Sequence, residues 1–182
     1  MEVFAGPAAL SPFRRQGLLT RIQEAVSDIT DVQAAFVHLV EPAAALGEDD
    51  REVLARLLDY GEAPGHDRAL ANPDLVVVPR PGTVSAWSSK ATDMAHRCGL
   101  ERVQRVERGV AYALIKGDGA GLTEAERDAV APLLHDRMIE VVLPALAEAA
   151  ALFRVPERGG LGHIDVLGQG RAALEGADRE LG

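Results

Sequence analysis

Apolar residues recur at every third or fourth position in four stretches of the chain, and this spacing predicts four amphipathic helices. In the first stretch, Leu18, Leu19 and Ile22 share one face. Ser11 precedes that face as a suitable N-cap, and Pro12 takes the first helical position. The predicted helices cover residues 11–26, 48–60, 88–98 and 123–137.

Short runs of β-branched and aromatic residues between these helices predict strands. Residues 75–78 are all apolar, which indicates a strand buried on both faces. Two further strands are expected to meet in a tight turn at Arg108 and Gly109, while residues 62–73 are expected to form a loop. The predicted strands cover residues 35–40, 75–78, 102–107, 110–115 and 139–143.

The order of these elements repeats along the chain, which favours an internal duplication. A shift of 76 residues aligns residues 46–60 with 122–136, with 6 of 15 positions identical. A shift of 74 aligns residues 10–13 with 84–87. One such unit cannot bury its sheet alone, so packing against a copy completes the core. We therefore expect an α+β fold of two fused ferredoxin-like (βαββαβ-type) halves, packed side by side.

The composition changes after Pro156, where five glycines fall within residues 159–170 ahead of a segment rich in Ala, Leu and Glu. We expect an N-terminal domain at 1–155, with halves at about 1–74 and 75–155. Residues 156–182 are then expected to be the start of a linker domain that the chain cuts short.

The chain has 182 residues, 47% apolar and 26% charged, which is the balance of an ordinary globular protein. Its net charge of -9 argues against nucleic acid and anionic lipid as partners. No apolar run approaches the length of a membrane span, and no signal peptide is evident at the start. The single cysteine suits a reducing compartment. We therefore expect a cytoplasmic protein.

A glycine-rich stretch at residues 116–126 lies between a predicted strand and helix, where phosphate-binding loops also lie. Leu122 follows its last glycine, whereas a phosphate-binding loop needs Lys followed by Ser or Thr. Thr123 and Glu126 instead form the pattern of a capping box. The stretch therefore predicts a helix start.

Metal and nucleophile chemistry finds little support in the sequence. The five histidines are never three or four residues apart, so no helical pair of metal ligands exists. Cys98 stands near a predicted helix end and is expected to be a small buried apolar residue. We predict no catalytic, cofactor-binding or metal-binding residue in this chain.

The most unusual segment runs from Val78 to Gly99. A buried strand enters a turn that contains Arg80 between two prolines, and the only tryptophan, Trp87, follows beside a serine pair suited to cap a helix. Two interpretations stay open. The segment is either a rigid corner pinned by Trp87 or a docking surface, since Arg and Trp are enriched at interface centres.

This segment also carries a family resemblance. PRPGTVSAWSSKATDMAHRCGL (residues 79–100) closely resembles the N-terminal signature of the large, single-chain phosphoribosylformylglycinamidine synthases, which are the formylglycinamide ribonucleotide amidotransferases of de novo purine biosynthesis. Ala86 departs from the proline usual in the family, and Arg97 from a frequent asparagine. Matching pieces elsewhere are at residues 9–19, 35–41, 57–61, 106–112, 133–138 and 165–171.

The resemblance implies a ligase, a glutamine amidotransferase that converts formylglycinamide ribonucleotide to formylglycinamidine ribonucleotide with ATP and glutamine. The ATP, the magnesium and the catalytic groups are expected in synthase and glutaminase domains beyond this sequence. This segment is implied to bridge those two partner domains and to support ammonia transfer without catalysis of its own. The candidate interdomain contacts are Arg80, Trp87, Ser88, Ser89, Lys90 and Asp93.

A second function class stays open at this point. If the chain stands alone, paired ferredoxin-like units are also typical of regulatory small-molecule-binding modules, and glycine-rich turns such as 116–121 are where such ligands bind. A fold does not identify a function, so this alternative rests on analogy.

Overall fold

The computed structural model describes residues 1–62, 68–154 and 163–181 of the chain. The strands are β1 (Glu2–Ala8), β2 (Ile29–Pro42), β3 (Leu75–Pro79), β4 (Val103–Lys116) and β5 (Glu140–Leu143). The helices are α1 (Pro12–Ala25), α2 (Glu48–Leu58), α3 (Arg68–Ala71), α4 (Ala86–Arg97), α5 (Glu124–Leu134), α6 (Val166–Gln169) and α7 (Arg171–Leu181), and a 3-10 helix covers Leu146–Phe153.

The five strands form one antiparallel sheet in the order β1-β2-β4-β3-β5. Its centre is the pair β2 and β4, which run side by side along almost their whole length with Phe36 opposite Val110. The expected α+β class is confirmed.

The tight turn predicted at Arg108 and Gly109 is wrong, because β4 passes through both residues without a break. Arg108 fits within the strand because its guanidinium lies over the ring of Phe36, 4.2 Å from the ring centre. Gly109 permits a close approach of β3, since a Cβ atom there would lie 2.8 Å from the carbonyl oxygen of Val77. The two residues mark a crowded crossing rather than a turn.

The expected arrangement of two complete βαββαβ halves is not what the described residues show. Residues 1–62 and 68–74 contribute β1 and β2, and residues 75–154 contribute β3, β4 and β5, all to one shared sheet. The reason is the length of the two central strands, which use their whole extent to pair with each other.

The two central strands nevertheless resemble each other in detail. Both have 14 residues, and their burial classes agree at every position except one, where half-buried Gln33 corresponds to buried Glu107. A shift of 74 residues also carries Phe36 onto its own cross-strand partner, Val110. The pairing is therefore the same when the two strands are exchanged, as at a local twofold axis.

The four predicted helices are confirmed as α1, α2, α4 and α5, with ends displaced by a few residues. Strand β2 begins earlier than predicted, and α3 lies within the predicted loop at 62–73, of which 63–67 are outside the described residues. Sequence patterns missed β1, where Gly6 and Pro7 obscure the alternation, and they missed the 3-10 helix.

The core lies on both faces of the sheet. On one face, α1 and α5 cover one end of the central strands, and α2 and α4 cover the other. On the opposite face, α3 and the 3-10 helix pack on alternate residues of the same strands. None of the described helices has the length and apolar character needed to cross a lipid bilayer.

Candidate functional site

The turn after β3 has the geometry that its sequence demands. The carbonyl oxygen of Arg80 accepts hydrogen bonds from the backbone N–H of Thr83 at 3.1 Å and from its hydroxyl at 2.7 Å. Pro81 and Gly82, which has φ +83°, occupy the two central positions of this type II turn. The Arg80 N–H also donates to the carbonyl of Ile139 at 3.0 Å, so the turn is held from both sides.

A buried carboxylate anchors the turn to β4. The side chain of Glu107 is fully buried and accepts from the backbone N–H of Ser85 at 3.1 Å and from its hydroxyl at 2.7 Å. Arg105 lies 2.6 Å from the same carboxylate and also donates to the carbonyls of Thr83 and Leu152. Burying a charge this deeply is tolerated only when such partners are present.

Ser85 joins this anchor to helix α4. Its hydroxyl oxygen accepts a hydrogen bond from the N–H of Ser88 at 3.0 Å, which makes Ser85 the N-cap. The serine pair predicted as a cap, Ser88 and Ser89, therefore lies inside the helix. A shift of 74 residues places Ser85 on Ser11, which caps α1 in the same way.

Trp87 packs in a cluster of aromatic and cationic side chains on the helical face of the sheet. Its ring stacks on the imidazole of His38, with centres 5.5 Å apart and planes 25° apart. The guanidinium of Arg108 lies 4.9 Å from the Trp87 ring centre and 4.2 Å from that of Phe36. The cation thus lies between two aromatic faces.

Tyr60 closes this cluster on the far side. Arg108 Nη1 donates to the Tyr60 hydroxyl oxygen at 3.1 Å, and His38 Nε2 lies 2.9 Å from the same oxygen. The hydroxyl proton is then free to point at a neutral imidazole. Burial, reinforced by the charge of Arg108, lowers the pKa of His38 to about 4, so the ring is neutral near pH 7.

The predicted contact residues gather around this corner, but they do not form one cluster. Arg80, Ser89, Lys90 and Asp93 are exposed, and Trp87 is half-buried. Asp93 forms an exposed ion pair with Arg97 at 3.1 Å, one helical turn away. The hydroxyl of Ser88 is buried and has no hydrogen-bond partner among the described residues, so it faces the protein interior.

Sequence patterns missed the groups that hold the corner: His38, Arg105, Glu107 and Arg108. The only local signal was a charged residue at an inward-facing position of a strand, as at Glu107. The anchoring carboxylate therefore sits 22 residues beyond Ser85, which it fixes. Of the two earlier interpretations, the rigid corner is present, but Glu107 and Arg105 pin it as much as Trp87 does.

The glycine-rich stretch starts a helix, as predicted. Thr123 and Glu126 form the capping box of α5. Lys116 Nζ lies 2.8 Å from Glu126 and 2.9 Å from Asp28. The hydrogen bond from Lys116, with those from Thr123, lowers the pKa of Glu126 to about 2, and the same contacts raise the pKa of Lys116. The lysine of this loop is thus engaged within the fold.

Two further observations concern metal and thiol chemistry. Within residues 1–62, 68–154 and 163–181, no three His, Cys, Asp or Glu side chains stand close enough together to hold a metal ion. Cys98, expected to be buried, is exposed, because it follows the last buried residue of α4, Ala95, at the C-cap.

Fold and site together define an α+β domain with a shared antiparallel sheet and a charge-anchored corner. Residues 35–153 of the 182 match the family model described as formylglycinamide ribonucleotide amidotransferase N-terminal. The match covers about two thirds of the chain and includes β3, the turn, α4 and β4. The chain belongs to this family, and the resemblance seen in residues 79–100 is confirmed.

Proposed function

We propose that this chain is a coupling domain of formylglycinamide ribonucleotide amidotransferase, which bridges the glutaminase and synthase modules and supports transfer of ammonia between them. It contributes contacts rather than catalytic groups, and it acts in the cytoplasm. The observation that carries the proposal is the corner from Arg80 to Ser85, anchored by a buried ion pair within a region that matches the family.

Rigidity is the physical link between this corner and coupling. Ammonia must pass between two sites without escape to water or protonation, which requires that the modules keep a fixed relative position. A bridging domain meets this need when its contact surface is set in advance. The turn hydrogen bonds at Arg80 and the carboxylate of Glu107 provide such preorganisation.

The exposed members of the predicted set are the direct contacts in this proposal. Arg80 projects from the turn, and Ser89, Lys90 and Asp93 lie on the exposed side of α4. Trp87 connects that helix to the cluster with His38 and Arg108. Ser88 supports the set from inside the fold.

The domain's architecture is part of the same proposal. We infer that the two halves, at about 1–74 and 75–155, arose by internal duplication, and that residues 156–182 begin a linker domain. The matching burial of β2 and β4, their self-consistent register and the equivalent N-caps Ser11 and Ser85 support the duplication. Residues 155–162 lie outside the described residues, and the part from 163 forms α6 and α7.

The test compares two reactions of the enzyme that carries this chain. Trp87→Ala and Arg80→Ala are expected to lower glutamine-dependent turnover at least about tenfold while ammonia-dependent turnover changes less than about threefold, since a misplaced module costs this much. Phe13→Ala is the matched control, because a 74-residue shift places Phe13 on Trp87 and Phe13 is exposed. Equal loss of both activities counts against the coupling role.

The alternative of a regulatory small-molecule-binding module has no separate support in the described residues, because Lys116 of its candidate loop is held by Glu126 and Asp28. Calorimetry of the isolated chain with glutamine, amino acids and nucleotides distinguishes the two. A micromolar ligand favours the sensor, and binding to the catalytic modules favours the bridge.

A further inference from the structure

A groove runs beside Trp87 on the helical face of the sheet, with a cavity volume of about 440 Å³. Its rim consists of three apolar side chains that are largely exposed, Val84 at 60%, Met138 at 79% and Ile139 at 63%. Exposed apolar side chains that converge on one concavity are typical of an interaction site. We call this concavity the Trp87 groove.

The floor of the Trp87 groove carries a positive charge. Arg108 lies there between the rings of Phe36 and Trp87, and one of its terminal nitrogens donates to the Tyr60 hydroxyl. No carboxylate of the described residues forms an ion pair with Arg108. The carboxylate of Glu140 lies on the groove wall, where it accepts a hydrogen bond from the N–H of Asp136 at 2.9 Å.

The fold itself does not require this cation. A 74-residue shift places Arg108 on Ala34 in the other central strand, where the same backbone pairing forms around a methyl group. The neighbouring residue differs as well, since Glu107 corresponds to Gln33. The charged residues are therefore added to one half at this corner, beyond what the shared sheet needs.

We propose that the Trp87 groove binds an apolar segment bearing a carboxylate, supplied by a catalytic module of the enzyme, and that Arg108 pairs with that carboxylate. Charge complementarity carries the choice of occupant. A guanidinium held in place by two rings is preorganised to receive a carboxylate, and the apolar rim accepts the side chains that flank it. The proposal rests on the function proposed above, because it specifies the chemistry of one contact between modules.

The first experiment identifies the occupant. The photoreactive residue p-benzoylphenylalanine replaces Ile139 in the enzyme that carries this chain, and the cross-linked peptide is mapped by mass spectrometry. The expected product joins residue 139 to a glutaminase or synthase segment that contains Asp or Glu between apolar residues. A cross-link to a second copy of this chain, to a segment without a carboxylate, or to nothing overturns the proposal.

The second experiment tests the charge through the dissociation constant between this chain and the catalytic modules, measured by calorimetry. Arg108→Gln is expected to weaken binding at least about tenfold, whereas Arg108→Lys keeps it within about threefold. Ile139→Asp, on the exposed rim, is expected to weaken binding similarly without disturbing the fold, because it repels the carboxylate. Phe13→Asp is the matched control and is expected to have no effect.

The outcomes separate the two proposals. If the unaltered chain fails to bind the catalytic modules, the coupling function fails and this proposal fails with it. If the chain binds but Arg108→Gln and Ile139→Asp bind equally well, only the groove proposal is overturned. Equal weakening by Phe13→Asp also overturns it, since the effect is then not specific to the groove.

Discussion

At the scale of single residues, this protein places its unusual chemistry where its two halves differ. Glu107 and Arg108 correspond to Gln33 and Ala34, so one half carries a buried carboxylate and an aromatic-bound cation that the other lacks. The carboxylate is tolerated because Arg105 and Ser85 surround it. Divergence at these positions is expected if the corner serves an interaction rather than the stability of the sheet.

His38 makes the stability of the fold depend on pH. The folded protein keeps the imidazole neutral down to about pH 4, whereas the unfolded chain protonates it near its ordinary pKa of 6.5. Stability is therefore complete above pH 6.5 and falls as the pH decreases to about 4, by up to roughly 3 kcal/mol. Urea unfolding followed by circular dichroism at pH 7.5 and 4.5 measures this difference.

The control for this prediction is His38→Phe, which keeps a ring against Trp87 but does not titrate. Its stability should change much less between the same two pH values. Arg108 stays charged throughout this range, and the pKa of Glu126, about 2, places the loss of its contribution mainly below pH 4.5. If the variant keeps the full pH dependence, another group is responsible.

At the scale of elements, helix patterns in the sequence predict the fold well, and strand patterns predict it partly. Helices α1 and α5 follow their N-caps and apolar spacing, because those signals lie within one turn of the chain. The break predicted at Arg108 and Gly109 is wrong because the reason for both residues is tertiary. One lies against Phe36 and the other makes room for Val77.

The candidate site shows the same limit. Trp87 and the turn at Arg80 are visible in the sequence, since proline, glycine and a single tryptophan stand out locally. The partners that fix them, His38 and Glu107, lie on other strands, and nothing near them in the sequence reveals their contact with the corner. Contacts across a sheet depend on register, which the local pattern does not specify.

The two equivalent helix caps provide a prediction at this scale. Ser85→Ala removes the α4 cap and also a donor to buried Glu107, so it should cost about 2 kcal/mol of unfolding free energy. Ser11→Ala removes only an exposed cap with a 3.4 Å bond and should cost less than about 1 kcal/mol. Urea unfolding of both variants gives the comparison. Equal losses would mean that the bond to Glu107 adds nothing.

At the scale of the whole molecule, the two halves share one sheet and should unfold as one unit. β2 and β4 lie at its centre, each bonded to strands on both sides. The slowest hydrogen exchange is expected in residues 32–40 and 106–114, at equal free energies of opening, because neither strand can leave without the other.

Native-state hydrogen exchange with mass spectrometry measures these energies, and the edge strands β1 and β5 are the internal comparison because each pairs with one strand only. They should exchange earlier. Exchange of residues 32–40 well before residues 106–114 would show instead that the halves open separately, as independent domains do.

The position of Trp87 also makes the chain its own optical probe. As the single tryptophan, it dominates ultraviolet emission, and it lies against Arg108 and His38 beside the groove. Covering that concavity, or protonating the imidazole, changes the surroundings of the indole directly. Fluorescence intensity and wavelength therefore follow events at this corner without any attached dye.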